Sequence, residues 1–185
     1  MRGPWGDFVH DDAADGPLAL LAGGTGLAPL KSIALQAIET NADREIHLYH
    51  GVRRRSDLYD VDFWTSLQAD HPGVHYTPCL SREDGYGRRG YVGDVLVEDH
   101  ATLRGWSAYL CGPPAMVDAG VKACKRRRMS GRSIHREKYT PAPMATVMAR
   151  KAVSRAVTRS APRLRITAWL IPRSPSPTPA SRCRK

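Results

Sequence analysis

Short apolar runs alternate with longer stretches in which apolar residues recur every three or four positions, and this alternation organises the chain from residue 17 to residue 139. The runs PLALLA (17–22), EIHLYH (45–50), VHYTPCL (74–80), SAYLCG (107–112) and SIHREKY (133–139) have the length and the Leu, Val, Ile and Tyr content of strands. The intervening stretches predict helices over 28–39, 57–69, 91–99 and 114–128. Pro29 suits the first turn of the first helix, Ser56 or Asp57 can cap the second, and Pro113-Pro114 leads into the fourth. Strands alternating with helices indicate an α/β fold with a parallel sheet, because parallel neighbours need a long, usually helical, crossover. The run SIHREKY is too polar for the middle of such a sheet and is expected at an edge.

Between the first strand and the first helix lies AGGTG (22–26), a turn almost without side chains. Such a turn leaves backbone N–H groups exposed at the positive end of the helix, a device for holding phosphate. The nucleoside-triphosphate loop is excluded because Leu30 stands where a glycine must precede Lys31-Ser32. The dehydrogenase fingerprint started at Gly24 places Pro29 at its third small position, and the second strand ends YHGVRRR with no acidic residue for a ribose.

Charge changes the picture less than its total suggests. The formal net charge is +10, but residues 140–185 carry ten Lys or Arg and no acid, leaving the remainder with equal numbers of each sign. This tail is rich in Ala, Ser, Pro and Arg and is expected to be disordered in isolation. It reads either as a basic arm for nucleic acid or an anionic membrane, or as an extension of biased composition, such as a GC-rich gene read in a shifted frame. Its lack of patterning favours the second, so no nucleic-acid partner is expected. Cysteines at 79, 111, 124 and 183 show no paired spacing for zinc or an iron–sulfur cluster, so no metal is expected. No stretch approaches the roughly 18 apolar residues of a membrane span, and a soluble cytoplasmic protein with free thiols is expected.

The loop AGGTGLAPL (22–30), combined with YLCGPPAMVDA (109–119), resembles the nicotinamide-binding domain of the ferredoxin-NADP reductase superfamily, particularly oxygenase reductase components and flavohaemoprotein reductases. GPWGDF (3–8), YHGVRRRSDLYDVD (49–62), LSREDGYGRRGYVGD (80–94) and IHREKY (134–139) extend the resemblance over residues 3–139. It implies a doubly wound five-stranded sheet of order 3-2-1-4-5 with helices on both faces, in which the two loops face each other at the switch point. It divides the chain into a flavin-domain junction remnant (1–16), an NAD(P)-binding domain (17–139) and the basic tail (140–185).

The resemblance also implies roles. Gly23, Gly24, Thr25 and Gly26, continuing into Leu27, Ala28 and Pro29, line the pyrophosphate and nicotinamide end, with the Thr25 hydroxyl available to the carboxamide. Gly112 admits the cofactor, Pro113 and Pro114 stiffen the second turn beside Met116, and Cys111 sits next to the nicotinamide. Arg53, Ser81, Arg82 and Tyr91 match the region that holds the adenosine end, so the donor is NADH or NADPH. Glu137 and Tyr139 match a terminal acidic-x-aromatic element that lies against the flavin. Cys111, Glu137 and Tyr139 are thus the expected catalytic residues. The family's FAD-binding barrel is not recognised here, so FAD is expected to be held mostly by a domain or subunit outside this chain. The implied function is passage of a hydride from NAD(P)H to FAD and of electrons to an iron–sulfur or haem partner of an oxygenase. The alternatives are an inactive nucleotide-binding fragment of a truncated gene and a basic interaction protein acting through its tail.

Overall fold

The computed structural model describes residues 8–11 and 14–139. The junction residues 1–7 and the basic tail 140–185 lie outside the described residues. Among the described residues, six strands and four α-helices follow in the order β1 Leu18–Gly23, α1 Leu27–Thr40, β2 Ile46–Val52, α2 Val61–Asp70, β3 Val74–Leu80, β4 Arg88–Arg89, α3 Val92–Asp99, β5 Ser107–Gly112, α4 Pro114–Arg126 and β6 Ile134–Lys138. They form one sheet of order β4-β3-β2-β1-β5-β6, parallel throughout.

Alternation along the central strands explains why both faces are covered. On β1, Leu18, Leu20 and Ala22 pack with Leu27, Leu30 and Ile33 of α1 and Trp64 of α2. Ala19 and Leu21 point the other way, to Val95 and Leu96 of α3 and Val117, Val121 and Cys124 of α4. All six residues of β1 and of β5 are buried, as expected for the middle of a parallel sheet. The polar β6 forms an edge, paired only with β5.

Two expectations are corrected. The sheet has six strands rather than five: Arg88–Arg89 pairs with Cys79 and Leu80 beyond β3. Two exposed arginines carry no apolar signal, and the strand exists because the loop after β3 folds back through Gly85 and Gly87, and leaves the strand through Gly90, all at positive φ. At Gly87 a Cβ would stand 2.4 Å from the Pro78 carbonyl oxygen, so only glycine fits that return. The second helix starts at Val61, and neither Ser56 nor Asp57 caps it. Asp57 closes an earlier 3-10 turn instead, its Oδ2 accepting from the Arg54 N–H at 3.1 Å.

The described part of the N-terminal segment is tied to the sheet. The buried Arg44 guanidinium donates to the Gly16 carbonyl at 3.0 Å and to that of Ala14, and meets His10 Nε2 at 2.8 Å. Phe8 packs edge-on against Tyr109 with ring centroids 5.8 Å apart.

Candidate nucleotide site

Strands β1 and β5 are neighbours, so the turns leaving their carboxyl ends emerge side by side. After β1 the chain makes a 3-10 turn over Gly24–Gly26 and enters α1; after β5, Pro113 precedes α4 and Pro114 is its first residue. The turns are in contact through their glycines. A Cβ on Gly26 would lie 2.0 Å from the Cys111 carbonyl oxygen, and one on Gly112 would lie 2.9 Å from the Gly23 Cα. Gly24 adopts φ +51 with open space before it. Four small residues are needed for two reasons: to let two backbones touch, and to leave the start of α1 uncovered.

Beside this contact runs an open cleft of about 320 Å³, within the range of small-molecule sites. Gly23, Gly24, Arg53, Ser81, Tyr91, Pro113 and Met116 line it. Arg82 lines the cavity that continues past Arg53, Ser81 and Tyr91. Main-chain bonds Ser81 N–H to Val52 O (3.1 Å) and Arg82 N–H to Arg53 O (3.0 Å) set the β2 and β3 exits side by side. Of the neighbouring cations, Arg88 pairs with Glu98 and Asp99, Arg89 pairs with Asp84, and Arg55 lies over the Tyr86 ring, while the exposed Arg54, which shares a cavity with Arg53 and Arg82, makes no ion pair among the described residues. Arg53 and Arg82 are exposed and make no ion pair among the described residues. Two unpaired guanidinium groups beside a cleft suit a phosphate-bearing ligand.

Cys111, Gly112, Glu137 and Tyr139 gather at the adjacent end of β5 and β6. Glu137 is in register with Cys111, and the Tyr139 N–H donates to the Gly112 carbonyl at 2.9 Å. The Tyr139 hydroxyl lies beside the Cys111 thiol, and Tyr139 is 37% exposed. Burial, and then the Glu137 carboxylate, push the Cys111 thiol up despite the opposing effect of the Tyr139 hydroxyl, so it stays protonated at neutral pH. A protonated thiol with no exposed surface, packed in the core on the α1 side of the sheet, is not placed for nucleophilic attack.

The remaining predicted residues do not line the cleft, although Thr25 directly follows Gly24, which does. Leu27 is in the core, Thr25 and Ala28 are exposed, and Pro29 and Pro114 lie half-buried in the first turns of their helices. Sequence reasoning missed Gly51, Val52, Asp57, Gly90 and Val92, which also line the cleft. It also missed the support beneath the glycine turn, where the Tyr59 hydroxyl donates to the Gly24 carbonyl at 3.2 Å. Buried His50 lies against the Tyr59 ring, its Nδ1 3.2 Å from the Tyr76 hydroxyl and its Nε2 without a hydrogen-bond partner. Desolvation pushes His50 down to about 4, only partly offset by the nearby Gly24 carbonyl. A glycine directly after an apolar run marked Gly51; nothing local marked Tyr59 or His50.

A cleft at the carboxyl ends of a doubly wound sheet, where the strand order reverses beside two glycine turns, defines a dinucleotide-binding domain. The family model "Oxidoreductase NAD-binding domain" matches residues 20–122, and the chain belongs to that family, within the ferredoxin-NADP reductase superfamily. The chain is 54% identical over 144 residues to the aromatic O-demethylase reductase subunit of an Amycolatopsis species, covering 76% of this chain and 43% of that protein. It is 38% identical over 143 residues to the ferredoxin–NAD(P)(+) reductase component of the Pseudomonas putida naphthalene 1,2-dioxygenase system, covering 76% and 44%. The crystal structure of an Amycolatopsis cytochrome P450 reductase superposes with a TM-score of 0.72 at 53% identity, covering 76% of this chain and 44% of that one. The chain thus spans less than half the length of these relatives.

Proposed function

We propose that this chain binds NADH or NADPH for a flavin-dependent reductase of an oxygenase system. The observation that carries the reading is the glycine-on-glycine contact of the two turns beside a cleft that Gly23 and Gly24 line and that continues past the exposed Arg53 and Arg82. The backbone of the 23–26 turn holds the pyrophosphate, helped by the dipole of the 14-residue helix that follows it. Arg53, Ser81 and Arg82 take the adenosine phosphate end, and Tyr91, 67% exposed, offers its ring to the adenine. Thr25 holds the carboxamide. Cys111, Glu137 and Tyr139 bound the nicotinamide end and exclude water from it.

FAD, when bound, would supply the hydride acceptor for the dihydronicotinamide and the capacity to pass electrons on singly. It is held by a partner domain or subunit that docks beside Tyr139, and the electrons go to an iron–sulfur or haem acceptor of an oxygenase. The names of the related reductase components support this, as does the share of those proteins that the chain covers. Among the described residues no helix is long and apolar enough to cross a membrane, and the reading assigns the chain to the cytoplasm.

Calorimetric titration of the folded chain with NADH and with NADPH tests the reading. One equivalent of either coenzyme is expected, and no heat with both at millimolar concentration overturns it. Dye reduction by NAD(P)H with added FAD then separates a competent reductase domain, active above the free-flavin rate, from an inactive nucleotide-binding fragment.

A further inference from the structure

At the end of the sheet opposite the nucleotide cleft, three ligand-bearing side chains meet. His47 is the second residue of β2, His75 the second of β3, and the two are directly in register. Residues in register on parallel neighbours point to one face, so the imidazoles lie side by side with centroids 4.5 Å apart. Glu45, two positions before His47 and hence on the same face, brings Oε1 to 2.7 Å from His47 Nε2. One carboxylate oxygen and one ring nitrogen from each histidine all lie within 4.8 Å of one another.

The surroundings leave this group open on one side and walled on the other. The next residues along the row are Ala19 of β1 and Ala108 of β5, too small to fill the space. Trp106 and His100 cover it instead, with centroids 5.1 and 4.7 Å from the His47 ring. His100 is held by the Tyr49 hydroxyl, 3.0 Å from its Nε2. Glu45 and His75 are exposed.

We propose that Glu45, His47 and His75 form a binding site for a divalent transition-metal cation of the zinc type, separate from the nucleotide cleft. Two imidazoles and one carboxylate make a donor set that suits borderline-soft ions and is poor for magnesium or calcium, which favour oxygen alone. A tetrahedral ion with bonds of about 2.0–2.2 Å sets its ligands roughly 3.4 Å apart. Small rotations of the exposed Glu45 and His75 side chains therefore suffice, and water completes the coordination. The ion ties β2 to β3 near their amino ends, roughly 16 Å along the strand from the cleft at about 3.3 Å per residue. It reinforces the fold and takes no part in hydride transfer.

The test is titration of Zn²⁺ into the full chain, comparing wild type with His75→Gln and Glu45→Gln. Both substitutions are at exposed positions, and thermal melts verify that the variants are folded. Wild type is expected to take up one equivalent at this site and to melt at a higher temperature with zinc, while Mg²⁺ gives no heat. Each variant is expected to lose at least tenfold in zinc affinity and to keep the wild-type affinity for NADH and NADPH. Failure of wild type to bind zinc overturns the proposal, as does undiminished binding by either folded variant. Neither result bears on the nucleotide reading, which is tested by coenzyme alone.

Discussion

A methyl group at Gly26 would sit 2.0 Å from the Cys111 carbonyl, a backbone atom that cannot swing aside. Gly26→Ala is therefore expected to force the two turns apart, lowering stability by about 1–3 kcal/mol as overpacking does. Coenzyme affinity should fall more than tenfold with it; urea melts and calorimetry read the two effects. Gly24→Ala meets nothing within 4 Å, so its cost is limited to the strain of φ +51, roughly 1–2 kcal/mol. The same turn rests on His50, whose buried imidazole charges only near pH 4. The unfolded chain takes up that proton near the ordinary value of 6.5, so the contribution is present above pH 6.5 and lost as pH falls towards 4. Wild type should lose on the order of 3 kcal/mol more than His50→Gln across that window, measured by denaturant melts at each pH. The thiols run the other way. Burial pushes Cys79 up to about 12 and Cys124 to about 11, so their contribution is present below pH 9 and lost as pH rises through those values.

Among the elements, α2 depends on one anchor. Trp64 is its single buried residue, stacked on Tyr76 at 6.1 Å and edge-on to Phe63 at 5.3 Å. Trp64→Ala is expected to cost about 3–5 kcal/mol. The indole N–H has no hydrogen-bond partner among the described residues, so Trp64→Phe should cost well under half as much, by equilibrium urea unfolding. The elements also differ in how legible they were. β1 and β5 are buried on both faces and show as continuous apolar runs, which is why their positions were readable within a residue. β4 consists of two exposed arginines, and its pairing depends on glycine turns that return the chain to Cys79 and Leu80. α2 begins late because Asp60, at φ 55 and paired with Lys31 at 2.8 Å, turns the chain before Val61; a helical period running from 57 conceals that turn.

For the molecule as a whole, the sheet order brings four chain exits to one cleft, so a bound coenzyme braces turns from β1, β2, β3 and β5 together. Coenzyme at a hundred times its dissociation constant should then stabilise the fold by about 2.7 kcal/mol, seen as a concentration-dependent rise in Tm. Arg82→Ala is expected to weaken NADPH at least tenfold while changing NADH less than twofold, since only the former carries the extra phosphate. If both coenzymes weaken equally, Arg82 meets the pyrophosphate or acts through the fold.

Hydrophobic alternation sufficed to establish a parallel α/β sheet, and the glycine turn a phosphate-bearing ligand, because strand burial and backbone approach leave local marks on composition; the switch-point pairing of the two turns and the dinucleotide followed from their resemblance to the ferredoxin-NADP reductase superfamily. Which residues share the cleft, how Tyr59 and His50 support it, and the meeting of His47 with His75 were decided only by tertiary structure. Those contacts join positions dozens of residues apart, and parallel register, which no local window encodes, sets the distance between them.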